Sequence, residues 1–188
     1  MNFSGLTEIC GKPGIGKTKL SLLLSLNHNT LYISSKNINI TKITNQHLFL
    51  IQIFYLKDLL FLFEYKIEPF IKLNQINLII IDSLEHLIIS EEINRILYLK
   101  VKKLFFTFKK IIYFYKLKII VVNNLFEKKI IGWMHKIFGI RYFYNLNTRI
   151  VLFKVNSLLF VKKTLCLDDK VCKRAYIDDR GMVFVKDE

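Results

Sequence analysis

One short stretch near the start of the chain constrains its fold more than any other. The sequence GKPGIGKT over Gly11–Thr18 has the spacing G-x-x-x-x-G-K-T of a phosphate-binding loop. Its glycines let the backbone curl so that successive N–H groups point at phosphate oxygens. Lys17 then reaches the β- and γ-phosphates, and the Thr18 hydroxyl ligates Mg²⁺. The predicted ligands of a nucleoside triphosphate are Gly11, Pro13, Gly14, Gly16, Lys17 and Thr18.

The residues on both sides of this loop have the pattern that such a loop requires. Leu6–Cys10 reads as a strand, and Lys19–Leu26 reads as a helix whose N-terminus adds its dipole to the anion site. A second strand, Thr30–Ser34, follows. This order of strand, loop, helix and strand predicts an α/β protein with a mostly parallel sheet.

Two later apolar runs end in polar residues and complete the predicted site. Asn77–Ser83 ends in Asp82-Ser83, and Leu117–Asn124 ends in Asn123-Asn124. Continuous apolar runs are typical of strands buried on both faces of a parallel sheet. At the carboxyl edge Asp82 would hold the Mg²⁺ shell, and Asn124 would sense the γ-phosphate. A surface aspartate and two turn-forming asparagines are the alternatives.

Composition limits the classes of protein that remain. The chain has 188 residues, 52% of them hydrophobic, which predicts a single domain over 1–188. The nearest approach to a membrane span, 48–65, contains Lys57, Asp58 and Glu64, so we expect a soluble, intracellular protein. The three cysteines lack the spacing of a zinc site. A net charge of +14 favours a nucleic-acid partner, although AT-rich codons would also raise the lysine count.

The rest of the chain predicts helices first and strands later. Leu56–Tyr65 has helical spacing, and Pro69 is expected to break the segment that follows. Glu91–Lys116 reads as a long amphipathic helix on which lysines recur every seven residues. A solvated face explains these lysines, and contact with DNA is the alternative. From Arg141 onward, short strands predict an antiparallel β-rich tail that extends the sheet.

The residues 4–20, SGLTEICGKPGIGKTKL, resemble the phosphate-loop region of the RecA/RadA recombinases. They are especially similar to the eukaryotic recombinase paralogues and to archaeal RadB. The likeness continues in order through Leu31–Ile33, the strand 78–83 and the strand ending in Asn123-Asn124. It extends to a Gly-Trp-Met-His segment at 132–135 with Arg141, and to a final hairpin at 163–181. The resemblance implies a RecA-like core that binds ATP and Mg²⁺ and acts in DNA repair by homologous recombination, in the nucleus or, without one, in the cytoplasm.

Departures from the family pattern refine this expectation. Active recombinases carry a water-positioning glutamate just after the second strand, and Lys36 occupies that place here. Asn124 stands where the family has a glutamine, and His135 and Arg141 are one residue further apart than in the family. The chain begins almost at the first strand, so we expect no N-terminal helix-hairpin-helix domain. The resemblance therefore implies an accessory subunit with weak or no ATP hydrolysis, partnered by recombinase or paralogue subunits and single-stranded DNA.

Two other functions remain open at this level. An active DNA-dependent ATPase would need another carboxylate, Glu64 or Glu85, to position the attacking water. A small nucleotide kinase is less favoured, because its phosphate clamp needs several arginines and the five in this chain are dispersed. The residues assigned to DNA contact are Lys128, Lys129 and Arg141. The basic loop at Lys128-Lys129 and the lysine-rich helix are expected to meet single-stranded DNA or a partner subunit.

Overall fold

The computed structural model describes residues 5–37, 47–92, 94–124, 145–155, 158–165, 170–177 and 182–184. Within these ranges, strands and helices alternate through the first two-thirds of the chain. The strands are β1 Leu6–Gly11, β2 Thr30–Ser34, β3 Leu48–Gln52, β4 Leu78–Asp82, β5 Lys118–Asn124, β6 Thr148–Val155, β7 Leu158–Leu165, β8 Lys170–Ile177 and β9 Met182–Phe184. The helices are α1 Lys17–Ser25, α2 Leu56–Phe61, α3 Ile67–Asn74, α4 Leu84–Ile89 and α5 Arg95–Tyr115, with a π-helical turn at Leu62–Lys66.

The described strands form one sheet in the order β3-β2-β4-β5-β1-β6-β7-β8-β9. Every pairing from β3 to β6 is parallel, and the pairings from β6 to β9 are antiparallel. The predicted α/β class with a mostly parallel sheet is confirmed. β6 lies parallel to β1 and antiparallel to β7, so strand pairing changes from parallel to antiparallel after β6. The strand β5 lies between β1 and β4, which brings the ends of all three strands together.

The core lies on both faces of the sheet. In β4 and β5, Ile79, Ile81, Ile119 and Val121 belong to a cluster that also contains buried residues of α2, α3, α4 and α5. The alternate residues Ile80, Ile120 and Val122 belong to a second cluster that includes Leu20 of α1. A strand covered by helices on both sides has no polar face, because successive side chains point to opposite sides. This explains the continuous apolar runs in the sequence.

The long amphipathic helix is confirmed, with a later start than predicted. The Asn94 side chain accepts a hydrogen bond from the Leu97 N–H at 2.9 Å and caps α5 at its N-terminus. Lys116 ends the helix in a left-handed conformation, with φ 53°. The face of α5 that packs on the sheet consists of Leu97, Val101, Leu104, Phe105, Phe108 and Ile111.

Two local predictions differ from the structure. Pro69 does not break the chain's helical path, which continues from Leu56 to Asn74 through the π-helical turn. It follows a π-helical turn, where the regular i→i−4 hydrogen bonding is already interrupted, so a residue without a backbone N–H is tolerated there. The sequence pattern also gave no separate helix for 84–89, because six residues are too few to show a period.

Several predictions fall outside the described residues. They concern the predicted DNA contacts Lys128, Lys129 and Arg141, the segment 132–135, and residues 166–169 and 178–181 of the predicted final hairpin. None of the helices in the described ranges is long and apolar enough to cross a membrane.

Candidate nucleotide-binding site

The phosphate-binding loop leaves the carboxyl end of β1 and enters α1, as the motif requires. Gly14 and Gly16 have φ of 74° and 101°, in the left-handed region that favours glycine. A Cβ on Gly11 would come 2.7 Å from the backbone oxygen of Leu152 in β6, a contact that only backbone movement could relieve. The sequence spacing and the local geometry therefore require glycine at these positions.

Lys17 is folded back over the loop. Its Nζ donates hydrogen bonds to the backbone oxygens of Gly11 and Lys12, both at 2.8 Å. Burial lowers the pKa of Lys17, and the negative charge of Asp82 acts in the opposite direction. The ammonium group is thus held inside the curl of the loop, where phosphate oxygens can replace the two carbonyls as its partners.

Thr18 and Asp82 meet at the start of α1. The Thr18 hydroxyl donates to Asp82 Oδ2 at 2.6 Å, and the Tyr32 hydroxyl donates to the same oxygen at 2.8 Å. Tyr32 is fully buried, and its oxygen lies 3.0 Å from Ser21 Oγ. Burial raises the pKa of Tyr32, with the charge of Asp82 as the second cause, so the phenol remains a proton donor to the carboxylate.

A hydroxyl and a carboxylate side by side are ligands that suit Mg²⁺, which usually keeps several waters and takes its remaining ligands from the phosphates of its substrate. In the described part of the chain no three His, Cys, Asp or Glu residues cluster as a metal site would require. Thr18 and Asp82 alone would not complete an octahedral shell, so a cation here depends on oxygens from a bound nucleotide and from water.

The end of β5 lies directly beside the loop. Asn124 is the register partner of Gly11, and Asn123 is the partner of Cys10. The Asn123 amide donates to Glu8 Oε1 at 2.8 Å, and its Oδ1 accepts from the Glu85 N–H at 3.1 Å. The structure therefore places Asn124 next to the phosphate loop, as predicted. Asn123 instead links β1 to the start of α4 through its side-chain hydrogen bonds.

Glu85, one of the two carboxylates that the sequence offered for positioning the attacking water, lies at the site. It lies in the first turn of α4, is 1% exposed, and accepts a hydrogen bond from the Asn124 N–H at 2.7 Å. Burial raises the pKa of Glu85; the Asn124 hydrogen bond and the charges of Lys36 and Lys17 oppose that shift. A signal existed in the sequence, because Glu85 follows Asp82 by three residues. The short helix that carries it was not predicted.

Lys36 and Glu64 have different places relative to this site. Lys36 is exposed, and its positive charge contributes to lowering the pKa of Lys17 and opposes the rise in the pKa of Glu85. Glu64 pairs with Lys103 of α5 at 2.6 Å on the surface of the helical layer. Of the two carboxylates considered as substitutes for the missing glutamate, only Glu85 is at the site.

An ion pair between a buried glutamate and a partly exposed arginine supports the site from the side of β6. Glu8 of β1 is 1% exposed, and its Oε2 lies 2.8 Å from Arg149 Nε. The same guanidinium donates to Cys10 Sγ at 3.3 Å. Burial raises the pKa of Cys10 to about 12, with the negative charge of Glu8 as the second cause, so this thiol is not a nucleophile at neutral pH.

Comparison of this chain with protein-family models and with curated proteins finds no match. The functional argument therefore depends on the geometry of the site and on the sequence pattern.

Proposed function

We propose that this protein binds ATP with Mg²⁺ at the carboxyl edge of its sheet and acts as a RecA-type recombinase paralogue in DNA repair. The observation that carries the nucleotide part is the convergence of Lys17, Thr18, Asp82 and Asn124 around one loop. Each residue stands where one part of a nucleoside triphosphate needs it: phosphate oxygens, the cation, or the γ-phosphate.

The recombinase part of the proposal has separate support. The motifs that resemble the RecA/RadA family occur in the family's order along the chain. Three further strands, β7 to β9, follow the parallel strands in antiparallel pairings. We propose that this is a RecA-like core with a C-terminal β-rich extension, and that it serves as an accessory subunit because Lys36 replaces the water-positioning glutamate. Its proposed partners are single-stranded DNA and other recombinase or paralogue subunits.

Lys36 has a proposed role in this accessory function. Its amino group is close enough to Lys17 to lower the pKa of that residue. A bound γ-phosphate between the two would neutralise this repulsion, so Lys36 would favour holding the triphosphate. A lysine cannot act as a general base for water while it is protonated. ATP binding would then promote assembly with partner subunits, and ATP hydrolysis would be slow or absent.

A nucleotide-binding measurement tests the proposal. Lys17→Ala should weaken the binding of Mg·ATP by about 10- to 150-fold, because hydrogen bonds to a charged group contribute about 1.5–3 kcal/mol. Lys19→Ala, which removes an exposed lysine from the same helix, is the matched control and should bind ATP as the wild type does. Absence of ATP binding by the wild-type protein would contradict the proposal. Recovery of recombinase subunits in an affinity pull-down tests the partner.

The second candidate function is an active, single-stranded-DNA-dependent ATPase, and the position of Glu85 favours it. A buried carboxylate with a raised pKa beside the γ-phosphate sensor has the properties of a general base. Glu85→Gln should then reduce ATP turnover by about 100- to 10,000-fold while ATP binding is retained. Glu64→Gln removes a surface carboxylate and is the control. Turnover that is absent in the wild type, or unchanged in Glu85→Gln, would reject this function.

A small nucleotide kinase is the least favoured function. Arg149, one of the arginines that a phosphate clamp would need, is engaged with Glu8 within the sheet. Arg95 is at the start of α5, on a different element.

A further inference from the structure

A second candidate site lies at the opposite end of the sheet. There the structure has an open groove of about 560 Å³ between the end of α5 and the amino ends of β1, β5 and β6. Its lining residues are Gly5, Lys109, Ile112, Tyr113, Lys116, Leu117, Lys118, Asn145, Leu146 and Asn147. β1 spans six residues from this groove to the phosphate loop, so the two sites are roughly 20 Å apart.

The groove is positively charged. Three of its lining residues are lysines, none is acidic, and no carboxylate in the described ranges lies within ion-pair distance of Lys109, Lys116 or Lys118. By contrast, the neighbouring Lys110 pairs with Glu68 at 3.4 Å. Three ammonium groups that pair with no described carboxylate surround one depression, and they form a favourable site for an anion that carries several charges.

The backbone beneath the lysines is fixed. The Asn147 side-chain oxygen accepts from the Leu6 N–H at 2.8 Å, and the Asn147 backbone N–H donates to the Leu6 backbone oxygen at 2.8 Å. The Ile119 N–H donates to the Gly5 oxygen at 3.1 Å, and Leu117 and Leu146 are buried beneath the groove. The lysines therefore extend from a preformed surface, and binding would order little backbone.

An aromatic side chain completes the groove. Tyr113 is 68% exposed, and Lys116 Nζ lies 4.6 Å from the centre of its ring. An exposed aromatic ring beside lysines suits a nucleic acid. Its bases stack on the ring while its phosphates contact the ammonium groups.

We infer that this groove binds the backbone of single-stranded nucleic acid, with Lys109, Lys116 and Lys118 on the phosphates and Tyr113 stacked on a base. The inference rests on the proposed nucleic-acid partner but not on ATP binding. It places the contact on described residues at the end of the sheet remote from the nucleotide. The contacts predicted from the sequence, Lys128, Lys129 and Arg141, lie outside the described ranges.

The test is fluorescence anisotropy with a labelled oligothymidylate over a range of salt concentrations. The groove variant combines Lys109→Gln, Lys116→Asn and Lys118→Thr, substitutions chosen to suit a helix, a left-handed residue and a strand. The control variant combines Lys57→Gln, Lys66→Gln and Lys72→Gln, which removes the same charge from positions outside both the groove and the lysine-rich helix. Circular dichroism and thermal unfolding establish that both variants fold.

A plot of log affinity against log salt concentration should have a slope that is shallower by about 2 for the groove variant than for the wild type. Each phosphate of a single strand that a lysine neutralises contributes about 0.7 to this slope, and the variant lacks three lysines. The control should keep the wild-type slope. Tyr113→Leu should weaken binding about 5- to 150-fold, as loss of one stacked base does, whereas Tyr98→Leu on the same helix should not. Equal loss in the groove and control variants would overturn the inference, because bulk charge would then explain binding.

Three further arms separate the alternatives. Competition by inorganic phosphate or thymidine monophosphate as strong as by the oligonucleotide would show a site for small anions and overturn the inference. Binding to anionic phospholipid vesicles, but not to the oligonucleotide, would also overturn it. The inference would also be overturned if the double variant Lys128→Ser/Lys129→Ser lost DNA binding while the groove variant kept it. Mg·ATP binding is measured on the same samples: if it fails while groove-dependent DNA binding persists, only the proposed nucleotide function is wrong.

Discussion

The two ends of the central sheet differ in how their charged groups are paired. At the carboxyl end, Asp82, Glu85 and Glu8 are buried and hydrogen-bonded to neighbouring groups of the protein. At the amino end, the groove lysines face solvent or lie partly exposed, and no described carboxylate pairs with them.

This difference matches the two kinds of ligand proposed above. Burying a carboxylate is unfavourable unless donors surround it, so the carboxyl end holds its groups in fixed positions before any ligand arrives. That arrangement suits a ligand of one shape. The exposed lysines of the amino end keep their hydration and their conformational freedom, and they suit a polymer that presents repeated charges.

The largest effect that would sharpen this contrast comes from Asp82→Asn. Loss of the carboxylate charge should weaken Mg·ATP binding about 10- to 150-fold, since hydrogen bonds to charged groups contribute about 1.5–3 kcal/mol. ATP without Mg²⁺ should lose less, and oligothymidylate affinity should not change. Titration of both ligands with the variant and the wild type measures this. A parallel loss of DNA affinity would show that the two ends are not independent.

A smaller effect is expected from Tyr32→Phe at the carboxyl end. The buried Tyr32 hydroxyl lies between Ser21 and Asp82, and its removal leaves two polar groups with one partner fewer. The variant should lose about 1–3 kcal/mol of unfolding free energy in urea denaturation. Tyr113→Phe removes a hydroxyl from an exposed ring at the other end and should stay within about 0.5 kcal/mol of the wild type. Equal losses of unfolding free energy in Tyr32→Phe and Tyr113→Phe would contradict the difference in burial between the two ends of the sheet.

The smallest predicted effect is a pH dependence that Glu85 adds to stability. Its pKa is raised in the folded protein, chiefly by burial, above the ordinary value of 4.5. The folded state therefore binds the proton more tightly. The stability that Glu85 contributes is fully present below about pH 4.5 and declines as pH rises through the folded-state pKa.

Glu85→Gln isolates this contribution, because glutamine accepts the Asn124 hydrogen bond but does not titrate. Across the weakly acidic range, the free energy of unfolding of the wild type should fall relative to that of the variant. Denaturation at a series of pH values measures the difference. Glu64→Gln, from an ion pair on the surface, should show no such divergence. Parallel curves for wild type and Glu85→Gln would contradict the buried position of Glu85.

Whether a residue's place could be predicted from the sequence depends on how far apart in the chain the residues that position it are. Lys17, Thr18 and the loop glycines were predictable because their positions depend only on one strand, the turn that follows it and the next helix. Asp82 and Asn124 were predictable because a buried parallel strand has a recognisable apolar run, and its carboxyl end must lie at one edge. The fold class follows from the same runs.

Glu85 and the groove had weaker signals. Glu85 was one of two carboxylates that the sequence could not separate, and the choice depends on α4 packing beside β5 while Glu64 pairs with α5. The lysines of α5 read as a solvated face. Lys109 and Lys116 belong to a site only because Lys118, Tyr113 and the residues before β6 meet them.

The sequence alone determined the phosphate loop, the polar ends of the buried strands and the long amphipathic helix, because each depends on neighbours within a few turns or one strand. Only the tertiary structure decided that β5 lies between β1 and β4 and that Glu85, not Glu64, reaches the site. It also decided that lysines from separate elements share one groove. These results depend on strand order and helix packing, which bring together residues far apart in the chain, and no local pattern encodes that order.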